Sequence, residues 1–127
     1  MLNYAIQVLI VLILTTIGKK YTRRLRPEVS NESRRWVDFR TKETNGSLPS
    51  GDTAQAALLA CFIRFNFPYF YESLGSDYFA FKFIILVAIA RVFHHCHFFG
   101  DTFIGAAIGI SVATIYSCAG IIVPSPI

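Results

Sequence analysis

The stretch TFIGAAIGISVATIYSCAGIIV, residues 102–123, contains no charged residue. A helix needs about 20 apolar residues to cross a bilayer, and this stretch meets that length. Three further apolar stretches precede it, at residues 1–18, 53–71 and 78–93, and each spans if the polar side chains near its ends extend to water. The pattern predicts an all-α fold, a polytopic membrane bundle of about four transmembrane helices. A very apolar soluble bundle is the competing interpretation.

The composition supports one membrane domain over residues 1–127. Hydrophobic residues make up 54% of the chain and charged residues 16%, against about a quarter charged in soluble domains. The net charge of +4 does not predict nucleic-acid binding, because the basic residues crowd between apolar stretches as membrane-flanking charges do. The three cysteines lack the even count and regular spacing of a disulfide framework.

A polar, arginine-rich segment at residues 19–51 separates the first two apolar stretches, and a surface helix or loop is expected over residues 31–44. If all four stretches cross, this segment and the turn at 94–100 share one side, with ten of the 12 basic residues. The positive-inside rule then predicts a cytoplasmic or equivalent face. Glycosylation patterns beginning at Asn31 and Asn45 favour the opposite orientation, so both stay open.

Three groups of polar residues lie at helix ends on that side. They are Lys19 with Arg26-Pro27, then Pro49-Ser50-Gly51-Asp52, and then Arg91 with His97 and Asp101. Three cations can spread charge over the oxygens of a phosphoryl group, and a helix N-terminus suits an anion. His97 and Asp101 are four residues apart, on one helix face, so the carboxylate can keep one ring nitrogen protonated while the other acts as a nucleophile.

In order and spacing, these groups resemble the three signature motifs of the type 2 phosphatidic acid phosphatase family, which includes lipid diphosphate phosphatases and is related to vanadium-dependent haloperoxidases. The resemblance covers residues 19–101. It implies that His97 attacks phosphorus to form a phosphohistidine and that Asp101 orients it. It implies phosphate binding by Lys19, Arg26, Ser50, Gly51 and Arg91, with no metal and no other cofactor.

Two positions depart from the family pattern. Ala90 stands where the third motif usually has serine, which is a minor change. Asp52 stands where the second motif ends in histidine, the general acid that protonates the leaving alcohol. An aspartate among three cations is expected to be ionised and unable to donate a proton. Alternatively, Asp52 acts as an N-cap with Gln55 completing a capping box.

The tract His94-His95-Cys96-His97 resembles a metal-binding sequence, but a second ligand cluster is missing, and metal binding is not expected. One of its first two histidines is an alternative source of the missing acid. Arg64 and Lys82, within predicted helices, are expected to pair or extend to the 72–77 hairpin rather than to form a channel. Gly105 and Gly109 predict close helix packing.

Two functions follow from these observations. The first is a membrane phosphatase of lipid phosphates or diphosphates, with ionised Asp52 favouring diphosphates because a leaving phosphate needs no proton. The second is a catalytically impaired relative serving as an accessory subunit of a membrane complex. Four helices are fewer than the six common in the family, so a second copy or a partner protein is expected to cover exposed helix faces. The sequence assigns neither the lipid nor the membrane.

Overall fold

The computed structural model describes residues 2–28 and 46–119, which form five α-helices and, within these ranges, no β-strand. The helices are α1 Leu2–Thr22, α2 Gly51–Asn66, α3 Pro68–Ser73, α4 Ser76–Phe93 and α5 Phe99–Cys118. The surface element expected at residues 31–44 and the glycosylation positions Asn31 and Asn45 lie outside the described residues. The all-α prediction is confirmed for the described residues.

The predicted helix at residues 53–71 is two helices, and this is a correction. Helix α2 ends at Asn66, Phe67 takes a non-helical conformation (φ −133°, ψ 61°), and α3 begins at Pro68. Proline lacks the N–H that a continuing helix needs and disfavours helical geometry in the residue before it. Its fixed φ instead suits the first position of a new helix.

The other helix ends also differ from the prediction. Helix α1 continues past residue 18 to Thr22, whose hydroxyl donates to the Gly18 carbonyl. Lys19 is therefore helical, and the polar connection begins at Arg23, which has a left-handed φ of 43°. Helix α4 begins at residue 76 rather than 78. Helix α5 begins at residue 99 rather than 102 and ends at Cys118.

Ser50, and not Asp52, is the N-cap of α2. Its backbone is extended, and its hydroxyl accepts a hydrogen bond from the Thr53 N–H. Asp52 occupies the second helical position. Gln55 does not complete a capping box, because its amide donates to the Val8 carbonyl of α1. Serine satisfies the cap as well as aspartate does, so the helix begins at Gly51, two residues earlier than the Asp52 hypothesis required.

In the part of the chain that the structure describes, two helices, α1 and α5, are long and apolar enough to cross a membrane, judged by length and composition. Helix α2 has 16 residues, about 24 Å at 1.5 Å per residue, against a hydrocarbon core of about 30 Å. Helix α4 has 18 residues and includes three charged ones, Asp77, Lys82 and Arg91.

Helices α2 and α5 cross at the centre of the molecule with their backbones almost in contact. A Cβ atom on Gly105 would collide with the Ser50 carbonyl oxygen, and one on Gly109 would collide with the Ala54 carbonyl oxygen. The close packing predicted for these glycines is confirmed. The buried apolar core beside this crossing consists of Val11, Ala54, Leu58, Val112 and Ala113.

At the end of the bundle near α3, the pairing expected for Arg64 is confirmed. Its guanidinium lies 2.8 Å from Asp77, which also accepts a hydrogen bond from the buried Tyr71 hydroxyl at 3.0 Å. The Lys82 ammonium lies 5.8 Å from the centre of the Tyr78 ring. The contacts of Arg64 join α2 to the start of α4.

Candidate functional site

The candidate site lies at the opposite end of the bundle from Arg64, where α4 turns into α5. His95 takes a left-handed φ of 53°, and the backbone closes α4 with Cys96 N–H to Arg91 O and His95 N–H to Val92 O. This is the Schellman pattern of a helix C-terminus, in which glycine is the usual left-handed residue. The turn reverses the chain and leaves His97 directed into the protein.

His97 is almost fully buried, with 1% of its surface exposed. Its Nδ1 lies 2.5 Å from the Ser47 carbonyl oxygen. A carbonyl can only accept, so Nδ1 donates and carries the proton. In the neutral ring, Nε2 then holds the lone pair.

Asp101 lies beside His97, as predicted, but the two side chains do not form a hydrogen bond. The closest approach is 4.0 Å, from Oδ2 to Nδ1. Instead, Oδ1 accepts a hydrogen bond from Arg24 Nη1 at 3.0 Å, and Oδ2 accepts one from the Phe98 N–H at 2.9 Å. Asp101 therefore stabilises the first turn of α5, which has its positive dipole end there.

Three cations predicted to bind phosphate lie around His97. Burial lowers the pKa of His97 most, and the positive charges of Arg26, Arg91 and Lys19 lower it further, against an opposing effect of the Ser47 hydrogen bond. Arg26 also donates from Nη1 to the Cys96 carbonyl at 2.6 Å. Helices α1 and α4 and the segment after α1 thus each contribute one cation.

Asp52 forms an ion pair with one of these cations. Its Oδ2 lies 2.8 Å from Arg91 Nε, with the Asp52 side chain 57% exposed and that of Arg91 16% exposed. Asp52 therefore stands at the outer edge of the cluster. Asp52, which was predicted to stand at a histidine position of the resembled family, thus contacts a cation predicted to bind phosphate.

Ser50 and Gly51 lie beside the cluster, but Ser50 is committed to structural contacts. Its N–H donates to the Asp101 carbonyl at 2.9 Å, and its hydroxyl lies 3.0 Å from the Thr53 hydroxyl. Gly51 begins α2, where the first N–H groups of a helix lack intrahelical acceptors. Of the pair, Gly51 is better placed to present an amide to an anion.

Sequence reasoning missed Ser47 and Arg24. Ser47 is fully buried, its N–H donates to the Arg24 carbonyl at 2.9 Å, and its hydroxyl donates to the Leu25 carbonyl at 3.1 Å. The Arg24 guanidinium also lies 4.4 Å from the centre of the Phe98 ring. The contact of Ser47 with His97 uses a main-chain atom, for which a side-chain pattern carries no signal. Arg24 was one of several neighbouring arginines.

The arrangement combines a buried imidazole in one tautomer with three cations and a helix N-terminus. Such a site can hold a phosphoryl group and attack it with Nε2. A family model described as the PAP2 superfamily matches residues 1–120. No curated protein and no solved structure matches the chain.

Proposed function

The chain belongs to the PAP2 superfamily, and we propose on this basis that it is an integral membrane phosphatase of lipid phosphates or lipid diphosphates. The observation that carries the proposal is the group of Lys19, Arg26 and Arg91 around His97, close enough to lower its pKa. A nucleophile that stays neutral beside three cations matches the needs of an attack on a phosphoryl anion.

The membrane location rests on the outward faces of the helices. Large apolar side chains are exposed along α1, α4 and α5, among them Leu12, Ile13, Leu86, Phe103 and Ile115. Soluble monomers rarely expose contiguous apolar patches of more than a few hundred Å². We propose that lipid covers these faces. Four segments then cross the membrane, namely α1, α2 together with α3, α4, and α5. A second copy or a partner protein is the other proposed cover.

The proposed reaction has two displacement steps. In the first, the Nε2 lone pair of His97 forms the N–P bond while the bond from phosphorus to the leaving oxygen breaks, and its electron pair stays on that oxygen. In the second, water attacks phosphorus, loses a proton to solvent, and the N–P electron pair returns to Nε2. The role of Lys19, Arg26 and Arg91 is to bind the phosphoryl oxygens in both steps.

Asp52 limits the leaving groups that this site can use. Its carboxylate oxygen Oδ2 lies 2.8 Å from Arg91 Nε, where it faces an N–H donor instead of donating a proton to a leaving group. An alkoxide is a strong base and needs a proton when the ester bond breaks, whereas a phosphate leaves without one. We propose lipid diphosphates as the preferred substrates for this reason.

The same ion pair supports a second candidate function. Because Asp52 binds Arg91 at Nε, it competes with a phosphoryl group for one of the three cations. A site weakened in this way suits an accessory subunit that keeps the family fold without turnover.

The test is phosphate release by the purified protein from a lipid diphosphate and from a lipid monoester. We expect release from the diphosphate and an acid-labile phosphoprotein, and we expect both to be lost in His97→Ala, since no other group replaces the nucleophile in line. Lys82→Ala, remote from His97 in α4, is the matched control and should retain both. Phosphate release by His97→Ala would overturn the mechanism. A folded but inactive wild-type protein would favour the accessory subunit.

A further inference from the structure

We propose that the Ser47 carbonyl, and not Asp101, holds the Nδ1 proton of His97, and that Arg24 keeps Asp101 out of this role. Ser47 and Arg24 are then positioning residues for the nucleophile. The catalytic meaning of this inference rests on the proposed function, but the protonated nitrogen can be observed without turnover.

The distances favour the carbonyl over the carboxylate. His97 Nδ1 lies 2.5 Å from the Ser47 oxygen and 4.0 Å from the nearer Asp101 oxygen. A hydrogen bond from nitrogen to oxygen spans about 2.7–3.2 Å, and 4.0 Å is too long for one. The i,i+4 spacing brings Asp101 to within 4.0 Å of His97, but no hydrogen bond joins them.

Both carboxylate oxygens of Asp101 already have donors. Arg24 Nη1 donates to Oδ1 at 3.0 Å, and the Phe98 N–H donates to Oδ2 at 2.9 Å. The Asp101 side chain is fully buried. Turning it toward His97 would break the charge-assisted hydrogen bond with Arg24, which is costly.

The Ser47 carbonyl is fixed by the rest of its residue. The N–H and the hydroxyl of Ser47 donate to consecutive carbonyls, those of Arg24 and Leu25. Nearby, the Thr22 hydroxyl shares its one proton between the Gly18 carbonyl at 2.9 Å and the Leu48 carbonyl at 3.0 Å. The segments before and after residues 29–45 are thereby held together, and the carbonyl is presented to His97 on a rigid support.

Besides its hydrogen bond to Asp101, Arg24 has an electrostatic effect on His97. Among residues 2–28 and 46–119, the charged groups facing His97 are Lys19 of α1, Arg26 after α1, Arg91 of α4 and Asp101 of α5. Asp52 of α2 is bound to Arg91, and His94 and His95 lie in the same turn. Asp101 is the only carboxylate among the described residues within 4.0 Å of the ring. Its charge is balanced by Arg24, so the ring is not held in the cationic form.

The experiment is ¹⁵N spectroscopy of the imidazole rings in the detergent-solubilised full chain, with His97→Gln used to assign the His97 signals. We expect Nδ1 protonated and Nε2 unprotonated above pH 7.5. Asp101→Asn should keep this tautomer, because the Ser47 carbonyl still accepts the proton. A change to the Nε2-protonated tautomer in Asp101→Asn would overturn the proposal.

Variants of Arg24 test its proposed role through a pH titration of the ¹⁵N signals of His97. Arg24→Gln should move the midpoint of His97 to higher pH by roughly one to three units, because Asp101 then acts as an unbalanced negative charge. Arg24→Lys retains the charge and should titrate like the wild type. The double variant Arg24→Gln with Asp101→Asn should return to the wild-type midpoint. An unchanged midpoint in folded Arg24→Gln would contradict the role of Arg24.

Because the readout is the ring nitrogen, the two hypotheses fail separately. A wild-type Nδ1-protonated tautomer in an inactive protein would reject the phosphatase but retain the positioning contact. Turnover in a protein whose His97 carries the proton on Nε2 would retain the phosphatase and reject the positioning contact. If Arg24→Gln does not fold, the wild-type and Asp101→Asn spectra still test the role of the Ser47 carbonyl.

Discussion

At the scale of single residues, the environment of His97 predicts its dependence on pH. Burial and three cations lower its pKa below the usual value of about 6.5, so the neutral nucleophile persists as the pH falls through that value. We expect the acid limb of kcat/KM below pH 6.5. Arg26→Gln removes one cation and should move the limb to higher pH. Comparing the two proteins on one substrate cancels the titration of the substrate itself, and identical limbs would show that His97 does not set the profile.

The lowered pKa of His97 also predicts how the free energy of unfolding depends on pH. Since the folded state lowers the pKa of His97, the unfolded chain binds the proton more readily. The contribution of neutral His97 to the free energy of unfolding is present above about pH 6.5 and is lost as the pH falls through the folded pKa.

Asp52 predicts a difference between substrates. Asp52→His supplies a proton donor for an alkoxide, and general acid catalysis contributes typically 10²-fold or more. We expect Asp52→His to raise monoester hydrolysis by about that factor and diphosphate hydrolysis much less. Asp52→Asn, which breaks the ion pair with Arg91 without adding a proton donor, is the matched control. Equal gains on both substrates in Asp52→His would reject the leaving-group argument.

At this scale, the sequence predicted the cluster of cations better than it predicted their partners. Lys19, Arg26 and Arg91 stand out because they are charged residues at the ends of apolar helices, and the structure brings them around His97. The partner of Asp101 could not be predicted, because the choice between His97 and Arg24 depends on a difference of about one ångström in placement.

At the scale of helices, the crossing of α2 and α5 predicts a severe effect of a small change. Gly109→Ala places a methyl group against the Ala54 carbonyl, and the two backbones must separate. Overpacking of this kind costs typically 1–3 kcal/mol. Gly100→Ala is the matched control in the same helix, because a Cβ there meets nothing within 4 Å. Thermal unfolding in detergent measures both, and an equal midpoint for the two variants would contradict the close crossing.

The helices were predictable from the length and apolar composition of their stretches, and their ends were not. The apolar stretches became α1, α2, α4 and α5, but the prediction carried one helix across Phe67 and Pro68 because both neighbours are apolar. The proline effect on the backbone prevailed over hydropathy at that position. Asp52 was considered as a cap because two acceptable cap residues, Ser50 and Asp52, lie two positions apart.

At the scale of the whole molecule, the proposed membrane arrangement predicts which residues are reached from each side. Glu28 follows α1 near the site and Glu72 lies in α3 at the other end, and both are exposed. In a chain whose three cysteines are replaced by serine, a membrane-impermeant maleimide should label Glu28→Cys and Glu72→Cys from opposite faces of sealed vesicles. Labelling of both from the same face would contradict four crossings.

The contacts of the site also join residues that are synthesised far apart in time. Arg24 and Asp101 are separated by 77 positions, Arg26 and Cys96 by 70, and Ser47 and His97 by 50. At about 5–20 residues per second on the ribosome, Asp101 follows Arg24 by several seconds. During that interval the nascent chain already carries its arginines without their carboxylate and carbonyl partners. Helix α5 therefore completes the site, and a chain that stalls before α5 presents Arg24 without its carboxylate partner.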